Sequence, residues 1–183
     1  MRLGRLDKRA EILSLSPDLA RVSHGSRWVG IRAKEAADAA AASGLRTRAM
    51  VEVRARASAE LVSGRYLLSG SRLLHITSVR DPMGTGAEVV LSCDELVGQP
   101  GQYLPAGGTA KACRVHLTHQ APYLDELGQV TDYKTRAEVA LIEVGRPQVD
   151  DQLQIGGETY VVIQYARDTD DGVVRGLWLE RVV

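Results

Sequence analysis

Phenylalanine is missing altogether from the 183 residues, and aromatics make up only 4%, as six Tyr and two Trp. A core without Phe must be assembled from Val, Leu, Ile and Ala, which predicts cores that are thin or divided. Only two cysteines are present, Cys93 and Cys113, too few for a disulfide framework. In a reducing compartment they read as small buried residues or free thiols, with a bridge between them as the alternative. No apolar run approaches the roughly 18 residues of a membrane span, so no membrane partner is expected. The opening MRLGRLDKRAEILSLS carries charge throughout and lacks the apolar stretch of a secretory signal, which makes a cytosolic origin the expectation. An excess of charge is also absent, since 23 Lys+Arg offset 23 Asp+Glu. A dedicated nucleic-acid-binding domain is usually strongly basic.

The balance hides an asymmetry. Residues 1–96 hold 15 basic and 11 acidic residues (+4), and residues 97–183 hold 8 and 12 (−4). Opposite signs on two halves suit a part that stacks between other parts, or halves that meet each other. The break between them is marked by Gly98 to Gly108, with four Gly and two Pro in eleven residues, a composition that reads as a linker. The expected organisation is therefore a first domain over 1–97, a linker over 98–110 and a second domain over 111–183.

Both halves read as mainly β. Residues 49–57 alternate small or apolar side chains with charges, placing Glu52, Arg54 and Arg56 on one solvent face. Strands are also predicted over 72–79, 87–93, 112–118, 136–144, 159–166 and 173–182, with turn signals at 81–86 and at Asp171-Gly172. The fold class is two small barrel-like or sandwich-like β-domains. One stretch differs: residues 34–44 have Ala in six of eleven positions, a short helix or loop stopped by Ser43-Gly44. A faint repeat at an offset of 87 sets Gly70 on Gly157, Arg80 on Arg167 and Asp81 on Asp168, pointing to tandem copies of one small β-fold, with two unrelated small β-domains as the alternative.

Each candidate centre of chemistry has a plain structural reading. Cys113, His116 and His119 are spaced by threes, yet in a strand His116 faces away from the other two. Residues 168–172 (DTDDG) lack the spacing of a calcium loop and read as a charged hairpin tip. Gly84-Thr85-Gly86 is a turn. Cys93 with His75 or His116 would be a thiol–base pair, but no strained elbow exposes the thiol. No catalytic, metal or cofactor site is expected. Arginine accounts for 19 of the 23 basic residues, and Arg46, Arg48, Arg54 and Arg56 cluster after the Ala-rich stretch. Such a cluster suits a solvated strand face, a carboxylate-bearing partner or a phosphate-facing wall.

The first half carries a series of landmarks. They are Gly4-x-Leu6-x-x-Arg9 before a strand, Trp28 and Ala33, Ser43-Gly44 before a strand with Arg54-Ala55-Arg56, Gly70 before a strand ending Val79-Arg80-Asp81, and Cys93-x-Glu95. Over residues 1–96 this pattern resembles the head-closure, or stopper, family of long-tailed bacteriophage connectors. The resemblance departs in having a single Trp in the first hairpin and an additional second half, which is similar to a small head–tail joining module. It implies a non-enzymatic virion protein of the neck, assembled in the host cytoplasm as a sixfold ring. That ring would sit between portal and adaptor proteins and the tail terminator or tube, and would retain DNA without reading its sequence. It further implies a channel loop carrying Glu35, Ala36, Asp38, Ala40, Ser43, Gly44, Arg46 and Arg48, and an inter-ring contact at Arg2, Leu3, Arg5, Leu6 and Arg9. A tail-terminator or tail-completion ring is the alternative, with a cytosolic thiol or metal-dependent enzyme behind it.

Overall fold

Period-two alternation is realised as strand almost throughout the computed structural model, which describes residues 6–33, 44–124 and 129–182. The chain divides between Val97 and Gly98 into two units. In the first, β1 (Lys8–Leu15), β2 (Arg21–Ala33), β3 (Arg46–Arg56), β4 (Tyr66–Ser69), β5 (Arg72–Arg80) and β6 (Glu88–Leu96) close a barrel in the order β1-β2-β3-β6-β5-β4. In the second, β7 (Gln99–Leu104), β8 (Lys111–Leu124), β9 (Val130–Ala140), β10 (Gln152–Ile155), β11 (Glu158–Ala166) and β12 (Val174–Arg181) close in the order β7-β8-β9-β12-β11-β10. All pairs are antiparallel. Each barrel is filled by inward residues of alternating strands, among them Ile12, Val29, Val53, Leu67, Leu74, Leu91 and Cys93 in the first. Tyr103, Val115, Val139, Leu153, Val162 and Leu177 do the same in the second. The expected mainly-β class and two β-domains are what is found, as closed barrels.

The two rings share one topology, and their register agrees residue by residue. Ile76 pairs with Cys93 and Ser78 with Ser92, so Thr77 is bulged out of β5. Val162 pairs with Leu179 and Gln164 with Trp178, so Ile163 is bulged out of β11. Every one of these pairs is related by an offset of 86. The backbone before β4 agrees as well: Gly64 N–H donates to Ile76 C=O and Ile76 N–H to Arg65 C=O, while Asp150 N–H donates to Val162 C=O and Val162 N–H to Asp151 C=O. The repeat is real, but the sequence offset of 87 is one residue out. Gly70 matches Gly156 rather than Gly157; each is the first turn residue of its hairpin, at φ +60°. With a side-chain period of two, a one-residue slip reverses the face: the buried partners of Leu74 and Ile76 are Tyr160 and Val162, not Val161 and Ile163.

Further expectations are corrected. Residues 99–104, read as linker, are β7, a wall of the second barrel paired to both β8 and β10. Pro100 is tolerated because β10 pairs only from Gly101 onward, which leaves the proline facing one neighbour. Gly101 marks a close approach: a Cβ there would stand 3.1–3.2 Å from Gln154 O, Ile155 Cγ1 and Val115 Cγ2, so these neighbours would have to give by a few tenths of an ångström. The strand expected over 136–144 ends at Ala140, and Leu141–Val144 form a helical turn, α1. The run Leu-Ile-Glu-Val lacks alternation, and a helical turn lets both Leu141 and Val144 be buried where a strand would oppose them. Cys93 and Cys113 are free thiols buried in separate cores, so the bridge is not made. The Ala-rich stretch lies outside the described residues up to Ser43.

Candidate interaction surface

The outer faces of the two barrels can be read from the same registers. On the first, Trp28 stands opposite Arg9 of β1, and the next residue, Val29, pairs with Ala55, which sets Trp28 beside Arg56 of β3. Trp28 is 59% exposed, and a groove of about 540 Å³ beside it is lined by Leu6, Ser26, Arg27, Trp28 and Arg56. Along the same face follow Arg54, opposite Gly30, and Arg32, opposite Glu52. Glu52 is engaged by Arg54 at 3.3 Å and by Arg80 at 3.5 Å. Arg9, Arg32 and Arg56 are exposed and make no ion pair among the described residues. The strand face foreseen for Glu52, Arg54 and Arg56 thus gains an aromatic centre and a second row of arginines. The missing signal was the β1–β2–β3 register, which alternation within one strand does not disclose.

The equivalent face of the second barrel is closed by its own side chains. Arg114, at the position of Trp28, forms a 2.9 Å ion pair with Glu143 of α1, whose carboxylate also accepts the Arg114 backbone N–H at 2.8 Å. Arg136 pairs with Asp168 at 2.9 Å and lies 5.8 Å from the Trp178 ring. Tyr123 meets Trp178 edge-on at 5.1 Å and carries the Lys134 ammonium over its ring at 4.3 Å. What this barrel leaves open is the β8–β9 hairpin, where Leu124, Val130 and Tyr133 are exposed, Tyr133 at 65%.

The remaining site expectations divide by position. Leu6 and Arg9 of the inter-ring set meet at the Trp28 face, while Arg2, Leu3 and Arg5 lie outside the described residues. Of the channel-loop set, Glu35, Ala36, Asp38, Ala40 and Ser43 also lie outside them. Gly44 is buried where the chain re-enters the barrel. Arg46 is half-buried and held by Asp94 at 2.8 Å, so its charge is tied to the barrel wall. Arg48 falls within β3, with its side chain outside those described.

The candidate chemistry dissolves into packing and turns. Burial, with the Asp94 charge beside it, pushes the Cys93 thiol up to about 12. Cys93 pairs with Ile76 and His75 with Asp94, which puts thiol and imidazole on opposite faces. Burial likewise raises Cys113 to about 12. Among the described residues no three His, Cys, Asp or Glu side chains gather as metal ligands would. Asp81 caps the Gly84–Gly86 turn by accepting the N–H groups of Met83, Gly84 and Gly86. These bonds, the one from Gly86 foremost, hold its carboxyl below the usual range. In the DTDDG tip, Asp170 pairs with Arg175 at 2.8 Å and the Asp171 carboxylate accepts the N–H groups of Val173 and Val174.

Residues 83–180 match the family described as Phage Head-Tail Attachment protein, 98 of the 183 residues. The chain belongs to that family. Its role is accordingly a structural one, joining a phage head to a tail and placing it at the head–tail junction of the virion. The match takes in β6 and nearly all of the second barrel. It leaves out residues 1–82, where most landmarks of the head-closure resemblance stand. No curated protein and no solved structure matches this head–tail attachment chain.

Proposed function

We propose that this head–tail attachment protein is a head-closure ring: a stopper that sits below the portal and adaptor rings, retains packaged DNA and offers its far face to the tail terminator or tube. The observation that carries the reading is a difference between equivalent connections. Twelve residues, 34–45, join β2 to β3, whereas five, 125–129, join β8 to β9. The long connection belongs to the basic half and is flanked by Arg32 and Arg48, besides Arg46, which Asp94 holds. Basic side chains act on phosphates through charge and without base readout, which is what retention of DNA in a channel needs. A sixfold ring also gives barrels with small aliphatic cores further burial against neighbours. The reading assigns no catalysis, cofactor or metal.

Deletion of Ala36–Ala42 in the phage tests it. Tailless heads carrying the intact protein should keep their DNA against nuclease, and heads carrying the deletion should lose it. Unchanged retention would remove the plug. Recovery of the protein on free tails, and not on DNA-filled tailless heads, would overturn the stopper in favour of a tail terminator.

A further inference from the structure

We propose that the Trp28 face of the first barrel seats the Pro122–Tyr133 face of β8 and β9 in a second copy's second barrel. The inference deepens the ring reading above, on whose self-association it rests, by naming the two surfaces that meet. On one side, the exposed Trp28 stands between Arg9 and Arg56, and Arg54 and Arg32 follow along the same face. An apolar aromatic centre rimmed by arginine is the composition of a protein-binding patch. Duplex DNA presents phosphates outward and would leave Trp28 without a partner of its own kind. On the other side, Leu124 pairs with Val130 and Pro122 with Tyr133, so Pro122 and Tyr133 share the hairpin face opposite to the one on which Tyr123 packs against Trp178. Asp132, opposite Tyr123, is exposed on the other face of the hairpin.

Charge selects the occupant. Residues 1–96 carry +4 and residues 97–183 carry −4, so the Arg-rimmed face is complementary to the half that bears the hairpin. Two different patches on one chain, each fitting the other, make a heterologous contact that propagates from copy to copy and closes when the rotation allows. Tyr, Trp and Arg are also the side chains on which binding energy concentrates.

The test uses the full chain. Trp28→Cys and Tyr133→Cys variants are mixed and oxidised; the buried native thiols serve as a silent background. A disulfide-linked dimer about tenfold above either variant alone is expected. In sedimentation velocity, Arg9→Glu with Arg56→Glu should weaken self-association at least about tenfold at unchanged circular dichroism. Three results would overturn the proposal. One is a link formed only within one chain when both cysteines are present together. Another is association indifferent to the arginine reversal, with rings still seen by electron microscopy; the ring reading then survives. The third is loss of binding to a duplex DNA probe with association intact, which would make the face DNA-facing. A chain that stays monomeric at every concentration overturns the ring reading as well.

Discussion

At the residue before β4 or β10 the two barrels make the same backbone pair and opposite side-chain choices. In the first, Arg65 reaches outward, bonding the Glu60 carboxylate and, at 2.8 Å, the Glu60 carbonyl. That guanidinium holds the Glu60 carboxyl below its ordinary value. In the second, the equivalent Asp151 turns inward and is only 2% exposed. Its carboxylate accepts the Tyr103 hydroxyl, the Ala106 N–H at 2.8 Å and the Gln148 N–H at 2.6 Å. Burial, followed by donation to Asp151, raises the Tyr103 hydroxyl. The same scaffold therefore tolerates a solvated ion pair or a buried, fully bonded carboxylate at one position. Topology is set by which residues point inward along the strands, while the loops before them are free to diverge.

Breaking that contrast should produce the largest effect. Asp151→Ala removes the charged acceptor of three hydrogen bonds, from the buried Tyr103 hydroxyl and from the Ala106 and Gln148 N–H groups, and should cost about 3–5 kcal/mol, whereas Arg65→Ala should cost a small fraction of that. Urea unfolding followed by the emission of Trp178, only 8% exposed, in a Trp28→Phe background reads the second barrel, and hydrogen exchange of the β4 and β5 amides over the same urea series reads the first. Comparable losses for the two variants would mean that the inward carboxylate has no special weight. Leu67 and Leu153, both fully buried at equivalent positions, test the shared part. Each Leu→Ala change should cost roughly 2–4 kcal/mol, and hydrogen exchange should show each loss confined to its own barrel. Exchange rising across both barrels in either variant would mean that the halves unfold as one unit.

The buried thiols give a pH test that both barrels should answer alike. Their folded pKa lies near 12 against an ordinary 9.0, so the fold favours the neutral thiol. That contribution is complete below pH 9 and is lost as the pH rises toward 12. The urea midpoint should fall over that window, and Cys93→Ala with Cys113→Ala should flatten the fall; an unchanged slope would show that thiolates form without cost. The smallest effect belongs to the left-handed residue of that backbone pair, Gly64 at φ +86° in one barrel and Asp150 at φ +72° in the other. Gly64→Ala should lose about 1 kcal/mol although its Cβ would meet nothing within 4 Å. Asp150→Gly should lose nothing. The reverse ranking in thermal melts would put the constraint in contacts rather than in the backbone.

How much of this was legible follows from the residues. Strands with clear alternation, such as Val51-Glu52-Val53-Arg54, could be read directly, as could the turn residues at 81–86 and 171–172. Short or atypical strands could not. Four residues at β4 and four at β10 give too few periods, and β7 carries the Gly and Pro of a linker because a barrel wall needs a close approach at Gly101. The offset was misjudged where Tyr160-Val-Val-Ile163 offers an unbroken apolar run, which conceals which residue faces inward. The interaction face was half legible: Arg54 and Arg56 were visible as a solvent row and Trp28 as a landmark. Their meeting depends on pairing between strands far apart in sequence.

In each ring the strand latest in sequence, β6 or β12, is inserted between two that precede it, β3 and β5 or β9 and β11. It acts as a keystone. Without it each half would be an open curl with two raw borders ready to pair with neighbouring chains, a known hazard of unpaired strands. Once it slots in, those borders vanish at a stroke, and the chain can meet its neighbours at the head–tail junction without being drawn into a fibre.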